Sequence, residues 1–255
     1  MGEEKNIKDF LDRKLKEYNT RDFIKDDPVL IPHMFSKKQD QEIAAFFAAI
    51  FAWGNRTTII NKSNELMQMM DKHPHDFCLH ASELELNSLK DFKHRTFNAD
   101  DLYFFIHFFR QHYRTNTSLE TAFTKGMNKD DENIEKGLLY FRKYFFTDEH
   151  LRRTEKHITS PAQNSACKRI NMFLRWMVRK DTVDLGIWKM IKPSQLVCPL
   201  DLHVTRVAKR FGFISRPAAN WATAIELTKN LRKLDPDDPV KYDFALFALG
   251  VIEKY

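Results

Sequence analysis

The sequence contains little cysteine and little glycine. Its three cysteines, Cys78, Cys167 and Cys198, lie far apart and form no CxxC pair, so the spacing typical of a zinc site or an iron–sulfur cluster is missing. An odd count also disfavours a secreted disulfide scaffold. Seven glycines and nine prolines in 255 residues are few for a β-barrel or β-sandwich, in which tight turns recur about every ten residues. We therefore expect neither a disulfide-rich protein nor an all-β protein.

Targeting and membrane signals are also missing from the sequence. The first residues, Met-Gly-Glu-Glu-Lys, are not followed by an apolar signal region. No run approaches the roughly 18 uncharged apolar residues that are needed to cross a bilayer. We expect a cytoplasmic protein without a membrane partner.

Charged and aromatic residues, by contrast, are abundant. The chain has 41 Lys and Arg against 35 Asp and Glu, a formal charge of +6, and a pI near 9.1. With 43% hydrophobic and 30% charged residues, the composition is typical of a globular protein rather than a disordered one. The 22 phenylalanines predict a core of large aromatic side chains. The basic balance favours an anionic partner such as nucleic acid.

Apolar residues repeat with the period of an α-helix in almost every segment. Residues 43–51 are apolar all round and follow Asp40, a predicted N-cap, which indicates a helix buried on every side. Further helices are predicted at 102–112, 118–127, 133–145 and 220–234, and a last helix has Pro239 in its first turn and ends at Ile252. No internal repeat and no convincing strand is found. The expected fold class is all-α.

A polar segment divides the predicted helices into two groups. Residues 146–164 are polar and include Ser160-Pro161, which is typical of a connection between lobes. We therefore predict a single unit, residues 1–255, built of two lobes with their boundary near 146–164. The N-terminal helices are expected to pack back on the C-terminal lobe.

The helix that is predicted to begin near Lys168 has an apolar stripe and a polar face. The stripe consists of apolar residues at i, i+3, i+4 and i+7: Ile170, Phe173, Leu174 and Met177. The polar face consists of Lys168, Asn171, Arg175 and Arg179. A helix N-terminus and the neighbouring Arg169 both disfavour an ammonium group at Lys168, and a lysine nucleophile must be a neutral amine. Lys168 is thus a candidate nucleophile, the alternative being a solvated surface lysine.

Asp201 immediately precedes a second amphipathic helix. The apolar stripe of this helix consists of Val204, Val207, Ala208 and Phe211, and its polar side of His203, Arg206 and Arg210. Asp201 is either an N-cap, worth about 1 kcal/mol, or an N-cap that also presents an ionised carboxylate to a reaction. His203 is a structural hydrogen-bonding residue or a general base. The two arginines form a solvated face or contact phosphates beside a pocket.

These two helices resemble a known family. Pro199-Leu200-Asp201-Leu202-His203-Val204-Thr205-Arg206-Val207 resembles the Val-Asp-Thr-His-hydrophobic-x-Arg-Val segment of the helix–hairpin–helix DNA glycosylases, the endonuclease III superfamily. Lys168-Arg169-Ile170-Asn171-Met172-Phe173-Leu174 is similar to the Lys-x-x-Asn-x-x-Leu segment of the same family. The resemblance implies that Lys168 is the nucleophile of a bifunctional enzyme and that Asp201 is catalytic.

Other parts of the chain carry the resemblance further. Residues 244–250 resemble the helix with which that fold ends, and residues 42–56 resemble the apolar helix that leads to a DNA-probing loop. The overall pattern, including residues 173–179, is also close to an uncharacterised bacterial family of about this length.

Three features depart from the family pattern. The Leu-Pro-Gly-x-Gly hairpin that usually precedes the lysine is replaced by residues 160–167, which contain no glycine, so a phosphate contact there must use Asn164, Ser165 or helix N-terminal amides. The separation of Lys168 from Asp201 is 33 residues, longer than usual and similar to that of the archaeal 8-oxoguanine glycosylases. The four-cysteine cluster loop is absent.

The resemblance implies a two-lobed helical bundle of the helix–hairpin–helix DNA glycosylase type, without an iron–sulfur cluster. The implied function is base-excision repair by a glycosylase with abasic-site lyase activity on an oxidised purine such as 8-oxoguanine. It requires no cofactor and no metal, and it acts as a monomer on damaged DNA with a flipped nucleotide.

The resemblance also implies which residues contact the DNA. The implied contacts are Asn55, Arg56, Asn164, Ser165, Arg169, Arg175, His203, Arg206 and Arg210. Trp53 and Trp176 are the implied base-pocket residues, although a tryptophan on an apolar helix is commonly a core residue. Two alternatives remain open, a non-catalytic DNA- or RNA-binding protein on the same scaffold and a helical protein-interaction scaffold.

Overall fold

The computed structural model describes the backbone of residues 2–255 and the side chains of residues 6–255. The described residues form fourteen α-helices. In chain order they are α1 (Gly2–Tyr18), α2 (Arg21–Lys25), α3 (Leu30–His33), α4 (Lys38–Phe51), α5 (Arg56–Met69), α6 (Pro74–His80), α7 (Glu83–Asn87), α8 (Ala99–Tyr113), α9 (Thr121–Thr124), α10 (Glu135–Phe145), α11 (Lys168–Val178), α12 (Leu202–Arg210), α13 (Trp221–Leu234) and α14 (Asp243–Val251).

The expected all-α class is confirmed. Four 3-10 helices supplement the α-helices, at Arg152–His157, Pro161–Gln163, Pro193–Gln195 and Pro239–Tyr242. Within the part of the chain that the structure describes, β-pairing is limited to two isolated bridges, His94 with Phe97 and Lys180 with Leu185. Pro239 therefore begins a 3-10 turn rather than the last α-helix, which starts at Asp243.

The chain divides into two compact units. Unit 1 consists of Met1–Phe23, Met127–Lys136 and Ser160–Tyr255, and unit 2 of Ile24–Gly126 and Gly137–Thr159. One division, between Thr159 and Ser160, lies inside the predicted boundary segment 146–164. The divisions near Phe23 and at 126–137 have no counterpart in the sequence-based prediction.

Unit 1 is built around α14, which contacts both α1 and α12. The apolar residues of α14 from Phe244 to Leu249 are buried, apart from the partly exposed Phe247. A Cβ atom at Gly250 would lie 3.0 Å from the carbonyl oxygen of His203, so the absence of a side chain there permits the close approach of α12. The Tyr18 hydroxyl donates a hydrogen bond to Glu253 at 2.7 Å, which fixes α1 against the end of α14.

Unit 2 has an aromatic core around α4. Residues 43–51 are all buried, which confirms the prediction of a helix buried on every side. Phe46 of α4 contacts Phe109 of α8 with the rings edge to face at 5.5 Å. It also contacts Phe141 of α10, again edge to face, at 5.8 Å. Such pairs contribute about 0.5–1.5 kcal/mol beyond their burial.

Buried polar groups in unit 2 hold the connecting segments. Glu42, which is 0% exposed, accepts hydrogen bonds from Tyr113, Ser118 and the amide of Leu119. Asp101 accepts hydrogen bonds from Thr154, Arg153 and His157. Burial by itself would raise the pKa of Asp101, but the hydrogen bonds from His157 and Thr154 lower this pKa to about 2.

The observed start of a helix agrees with the start predicted from the sequence where the capping side chain bonds to an amide a few residues along the chain. The Asn98 side chain accepts a hydrogen bond from the Asp101 amide and begins α8. The prediction that Asp40 caps α4 is wrong, because α4 begins at Lys38 and Asp40 is buried within its first turn. There the Asp40 carboxylate accepts a hydrogen bond from the amide of His75, a residue 35 positions away that no local pattern identifies.

Candidate lysine–aspartate site

The turn before α11 forms without glycine. Asn164 and Cys167 adopt the left-handed conformation with φ values of 52° and 50°, and Asn is among the residues that tolerate it best. The Asn171 side chain donates a hydrogen bond to the Ala166 carbonyl oxygen at 3.1 Å, and the Ser165 hydroxyl accepts one from the Cys167 amide. These contacts fix the chain so that Lys168 is the first residue of α11.

Asp201 is the N-cap of α12. Its Oδ1 atom accepts a hydrogen bond from the Val204 amide at 2.9 Å, and its carbonyl oxygen accepts one from the Thr205 amide at 2.8 Å. The second carboxylate oxygen, Oδ2, takes no part in this N-cap bond. The prediction of Asp201 as an N-cap is confirmed.

The two helix starts lie close together in unit 1. Lys168 Nζ is 3.8 Å from Asp201 Oδ2, and the two side chains are 30% and 22% exposed. A partly exposed pair at this distance contributes between about 0 and 1 kcal/mol to stability. The arrangement therefore has little structural value as an ion pair, while both groups remain accessible to a ligand. It brings together an amine that can act as a nucleophile and a carboxylate that can accept its proton.

Arg175 does not point towards solvent, as a phosphate contact requires. Its side chain is 6% exposed and is bound to Asp184 at 3.3 Å and to Asp243. The prediction that Arg175 contacts DNA is thus wrong in this structure, because its charge is neutralised inside unit 1. Arg179, the residue that follows α11, is bound to Asp181, Asp184 and Asp238 in the same way.

Two carboxylates in this network, those of Asp184 and Asp243, have pKa values above their ordinary values. Burial raises the pKa of Asp184 to about 7, although Arg175 and Arg179 oppose this shift. Burial also raises the pKa of Asp243 and of the nearby Cys198 thiol. Of the polar face predicted from the sequence, Arg175 and Arg179 therefore face carboxylates rather than water, and Asn171 is bonded to the Ala166 carbonyl oxygen.

Trp176 is 0% exposed, and its Nε1 atom has no hydrogen-bond partner within the described residues. A side chain without an open face cannot stack on an extruded base. The prediction of Trp176 as a base-pocket residue is wrong in this structure, and the alternative of a core tryptophan holds for this residue.

The basic side of α12 is attached to the C-terminal segment. Arg206 donates hydrogen bonds to the carbonyl oxygens of Gly250 and Tyr255 at 2.6 and 3.1 Å, and the Arg210 guanidinium lies 5.0 Å from the centre of the Tyr255 ring. His203 is partly exposed, with a buried Nδ1 atom that has no partner in the described chain. The sequence did not indicate these structural contacts, and phosphate binding by the three residues stays a prediction.

The remaining predicted contacts of unit 1 flank Lys168. Asn164 is exposed, and Ser165 and Arg169 are partly exposed. Burial lowers the pKa of the Arg169 guanidinium, which places a partly desolvated cation next to Lys168. These three residues therefore lie beside Lys168 in the chain, and their contacts with DNA remain predictions.

Trp53, Asn55 and Arg56 belong to unit 2, at the junction of α4 and α5. Asn55 is exposed and caps α5 by accepting a hydrogen bond from the Thr58 amide at 3.1 Å, and Arg56 is the first residue of that helix. Trp53 is 51% exposed. Its ring lies 4.9 Å from the guanidinium of Arg95.

Arg95 is a candidate functional residue that the sequence did not single out. A Cβ atom at Gly54, where φ is 111°, would lie 2.1 Å from an Arg95 guanidinium nitrogen. Glycine thus leaves room for the guanidinium between the backbone and the Trp53 ring. Arg95 lies between Phe92 and Phe97, more than forty residues from Trp53 in the chain, and only the fold brings it to the tryptophan.

Asp243 is a second candidate functional residue that the sequence did not single out. It opens a helix that is otherwise apolar from Phe244 to Val251, and an acidic residue at that position has a ready explanation as a favourable charge at a helix N-terminus. The sequence does mark this residue in one way, because a single acidic residue precedes eight residues that are all apolar or glycine.

Comparison with known proteins identifies one matching family model. Residues 27–252 match the model of a family described as "Protein of unknown function (DUF2400)". Neither a curated protein nor a solved structure matches the chain. Among the described residues, no helix combines the length and the apolar character that crossing a membrane requires.

Proposed function

The chain belongs to the DUF2400 family, and we propose that it is a DNA base-excision glycosylase with abasic-site lyase activity on a helix–hairpin–helix glycosylase scaffold. The proposed substrate is DNA that contains an oxidised purine such as 8-oxoguanine. Lys168 is the nucleophile and Asp201 is the residue that assists it.

The observation that carries this proposal is the 3.8 Å distance between Lys168 Nζ and Asp201 Oδ2. Two residues that are 33 positions apart come together at the starts of two helices, and each is partly open to solvent. The Val204 amide keeps the Asp201 carboxylate in a fixed direction. An amine beside a fixed carboxylate is the arrangement that activates a lysine for attack on an electrophilic carbon.

The proposed reaction begins with proton transfer from the Lys168 ammonium group to Asp201. The lone pair of Nζ then forms a bond to the anomeric carbon of the target sugar, while the bond from that carbon to the damaged base breaks. The electron pair of the broken bond leaves with the base, which takes up the proton held by Asp201. The bond from the anomeric carbon to the ring oxygen then breaks, and the ring oxygen takes a proton from the attacking amine, which gives a protonated Schiff base between Lys168 and the sugar. Loss of a C2′ proton to solvent and departure of the 3′ phosphate form a C2′–C3′ double bond and cleave the strand.

In unit 2, the Trp53–Arg95 pair supports contact with nucleic acid. A half-exposed tryptophan supplies a flat face for stacking on a base, which is worth about 1–3 kcal/mol per base. The adjacent guanidinium supplies positive charge for a phosphate. The net charge of +6 agrees with an anionic partner. Trp53 thus contributes to base stacking, and Arg95 joins the predicted contacts Asn55 and Arg56.

The proposal is tested by borohydride trapping on duplex DNA that contains either an abasic site or 8-oxoguanine. Reduction of the Schiff base gives a covalent protein–DNA adduct in the wild type. The variant Lys168→Gln is expected to reduce adduct formation at least about 1,000-fold, because no amine remains at the site. The matched control is Lys241→Gln: Lys241 is also a partly exposed lysine of unit 1 paired with an aspartate, Asp235, and its replacement should leave trapping unchanged.

Other outcomes distinguish the alternatives. Binding to DNA that weakens steeply with salt, without any adduct, would point to the non-catalytic DNA- or RNA-binding protein. Absence of both adduct and salt-dependent binding would leave the protein-interaction scaffold. Trapping that persists in Lys168→Gln would assign the chemistry to another amine and would contradict the proposal.

A further inference from the structure

Unit 2 contains a cavity of about 330 Å³ that is lined by residues of α8 and of the segment 144–148. This volume lies at the lower end of the range that is found for small-molecule pockets. Three phenylalanines line the cavity, Phe104 and Phe108 from α8 and Phe145 from α10. Phe108 and Phe145 are buried, and their ring centres are 4.4 Å apart. The cavity therefore has aromatic walls, which suit a flat ligand.

The lining also carries a negative charge. Of the described residues that line the cavity, Asp148 is the one carboxylate, and none is a lysine or an arginine. Oδ2 of Asp148 lies 2.7 Å from Nε2 of His107, which holds the carboxylate in one position. The other oxygen, Oδ1, takes part in no hydrogen bond with the described residues. It is left to bind a ligand.

Two hydroxyl groups in the lining already use the protons that they could donate. The Tyr144 hydroxyl donates to Nδ1 of His112 at 3.1 Å, and the Thr147 hydroxyl donates to the Tyr144 carbonyl oxygen at 3.0 Å. What these oxygens can still offer a ligand is a lone pair. Together with Asp148, they give the cavity an excess of hydrogen-bond acceptors. A complementary ligand supplies N–H donors and a positive charge.

The same combination of groups holds a guanidinium elsewhere in unit 2. The Arg142 guanidinium lies 5.0 Å from the centre of the Phe146 ring, and it bonds to a carboxylate oxygen of Glu155 at 2.6 Å. A guanidinium is flat, so it stacks on an aromatic ring while its N–H groups bond to a carboxylate. The cavity offers the same two partners without an arginine of its own.

We propose that this cavity is a binding site for a guanidinium group, which stacks against the phenyl rings and donates hydrogen bonds to Asp148. His107 is a positioning residue that orients the carboxylate. The group comes either from a small free guanidine or from the arginine side chain of a partner protein. All the residues involved belong to unit 2, so the proposal does not rest on the lysine–aspartate site of unit 1.

Isothermal titration calorimetry of the full chain tests this proposal with butylguanidine and with butylurea, its neutral counterpart of nearly the same shape. Salt at about 0.15 M screens the attraction of distant surface charges. Butylguanidine should bind to one site with a Kd of about 1 mM or lower. Butylurea should bind at least about 10-fold more weakly, because it lacks the charge and turns an oxygen towards the acceptors. Equal affinities, or no binding of butylguanidine at about 10 mM, overturn the proposal.

Three variants place the binding in the cavity. Asp148→Asn removes the charge from a side chain that is 53% exposed, and it should weaken butylguanidine binding about 10-fold. Phe104→Leu removes one ring and keeps its apolar character, and it should weaken binding about 3-fold. The matched control is Asp76→Asn, since Asp76 is also an exposed aspartate of unit 2 beside a histidine, with His80 at 3.8 Å. Its replacement should leave the affinity unchanged.

Unchanged affinity in Asp148→Asn or in Phe104→Leu overturns the proposal, and so does an equal loss in Asp76→Asn and Asp148→Asn. The comparison of butylguanidine with butylurea on the wild type decides the matter even where a variant does not fold.

A third compound, N-acetyl-arginine methylamide, identifies the source of the group, because it carries the same single charge on a peptide unit. Tighter binding of this compound than of butylguanidine assigns the site to an arginine side chain of a partner protein. Tighter binding of butylguanidine assigns the site to a small free cation. Both results support a guanidinium site.

Discussion

The two carboxylate oxygens of Asp201 have different neighbours, one at the start of α12 and the other beside the amine of Lys168. Oδ1 accepts the Val204 amide at 2.9 Å, while Oδ2 lies 3.8 Å from Lys168 Nζ. The structural task needs only an acceptor, whereas the proposed chemical task needs a negative charge. The two tasks can therefore be separated by substitution.

We expect Asp201→Asn to retain the fold and lose the reaction. Asparagine is as good an N-cap as aspartate, and the partly exposed ion pair adds at most about 1 kcal/mol, so the free energy of unfolding should fall by less than about 1 kcal/mol. Trapping should slow by about 100-fold or more, because the amide cannot take the lysine proton. Urea denaturation and single-turnover trapping measure the two effects.

Asp201→Ala is the companion variant. It removes both the cap and the charge, so it should show the same loss of trapping together with an additional loss of about 1 kcal/mol in stability. Equal trapping by Asp201→Asn and the wild type would show that the carboxylate charge is not used.

The Trp53–Arg95 pair predicts a specific change in nucleic-acid affinity. Replacing Arg95 with Gln removes one cation from the stacked pair, so the affinity for DNA should fall about 5- to 30-fold, and the slope of log affinity against log salt should fall by about one. Fluorescence anisotropy of labelled DNA at several salt concentrations measures both quantities. Gly54→Ala should reproduce the loss, because a Cβ atom there would displace the guanidinium.

Arg114→Gln is the control for this experiment. Arg114 is an exposed arginine of unit 2 whose one described side-chain bond is at 3.5 Å to Gln111. Its replacement removes the same charge from the chain but no stacked guanidinium. If Arg114→Gln and Arg95→Gln weaken binding equally, net charge rather than the Trp53 platform explains the affinity.

His112 predicts how stability depends on pH. It is 0% exposed, and burial lowers its pKa from 6.5 to about 4. The Ser118 carbonyl oxygen requires a proton on Nε2, so Nδ1 accepts from the Tyr144 hydroxyl. Between pH 6.5 and 4 the unfolded chain therefore binds a proton that the folded protein does not, and this residue lowers the free energy of unfolding as the pH falls through that window.

The size of this effect is measured by comparison with His112→Gln, which does not titrate. Lowering the pH from 7.5 to 4.5 should cost the wild type about 2 kcal/mol more than it costs the variant. The variant itself should be less stable at pH 7.5, since its amide fits the two partners less well. Denaturation curves at the two pH values give the difference, and parallel losses in both proteins would contradict it.

The sequence was informative wherever the determining interaction is local. Helical periodicity gave the all-α class, and the fully apolar run 43–51 gave a buried helix. The Asn98 and Asp201 caps follow from side chains that bond to amides three residues away. Lys168 and Asp201 were selected by resemblance to a family, and the turn before Lys168 closes with left-handed Asn164 and Cys167 in place of the expected glycines.

The tertiary structure decided which polar residues face water and which are buried. On α11, Lys168 and Arg175 occupy the same face, yet one is 30% exposed and the other 6%, because Asp184 from the following loop and Asp243 from a distant helix neutralise Arg175. Likewise Arg95 reaches Trp53, and His75 reaches Asp40, only through the fold. Helical period and caps depend on neighbours a few residues apart, so the sequence by itself determined them; burial and charge pairing depend on which remote segments meet, and only the packed chain decides that.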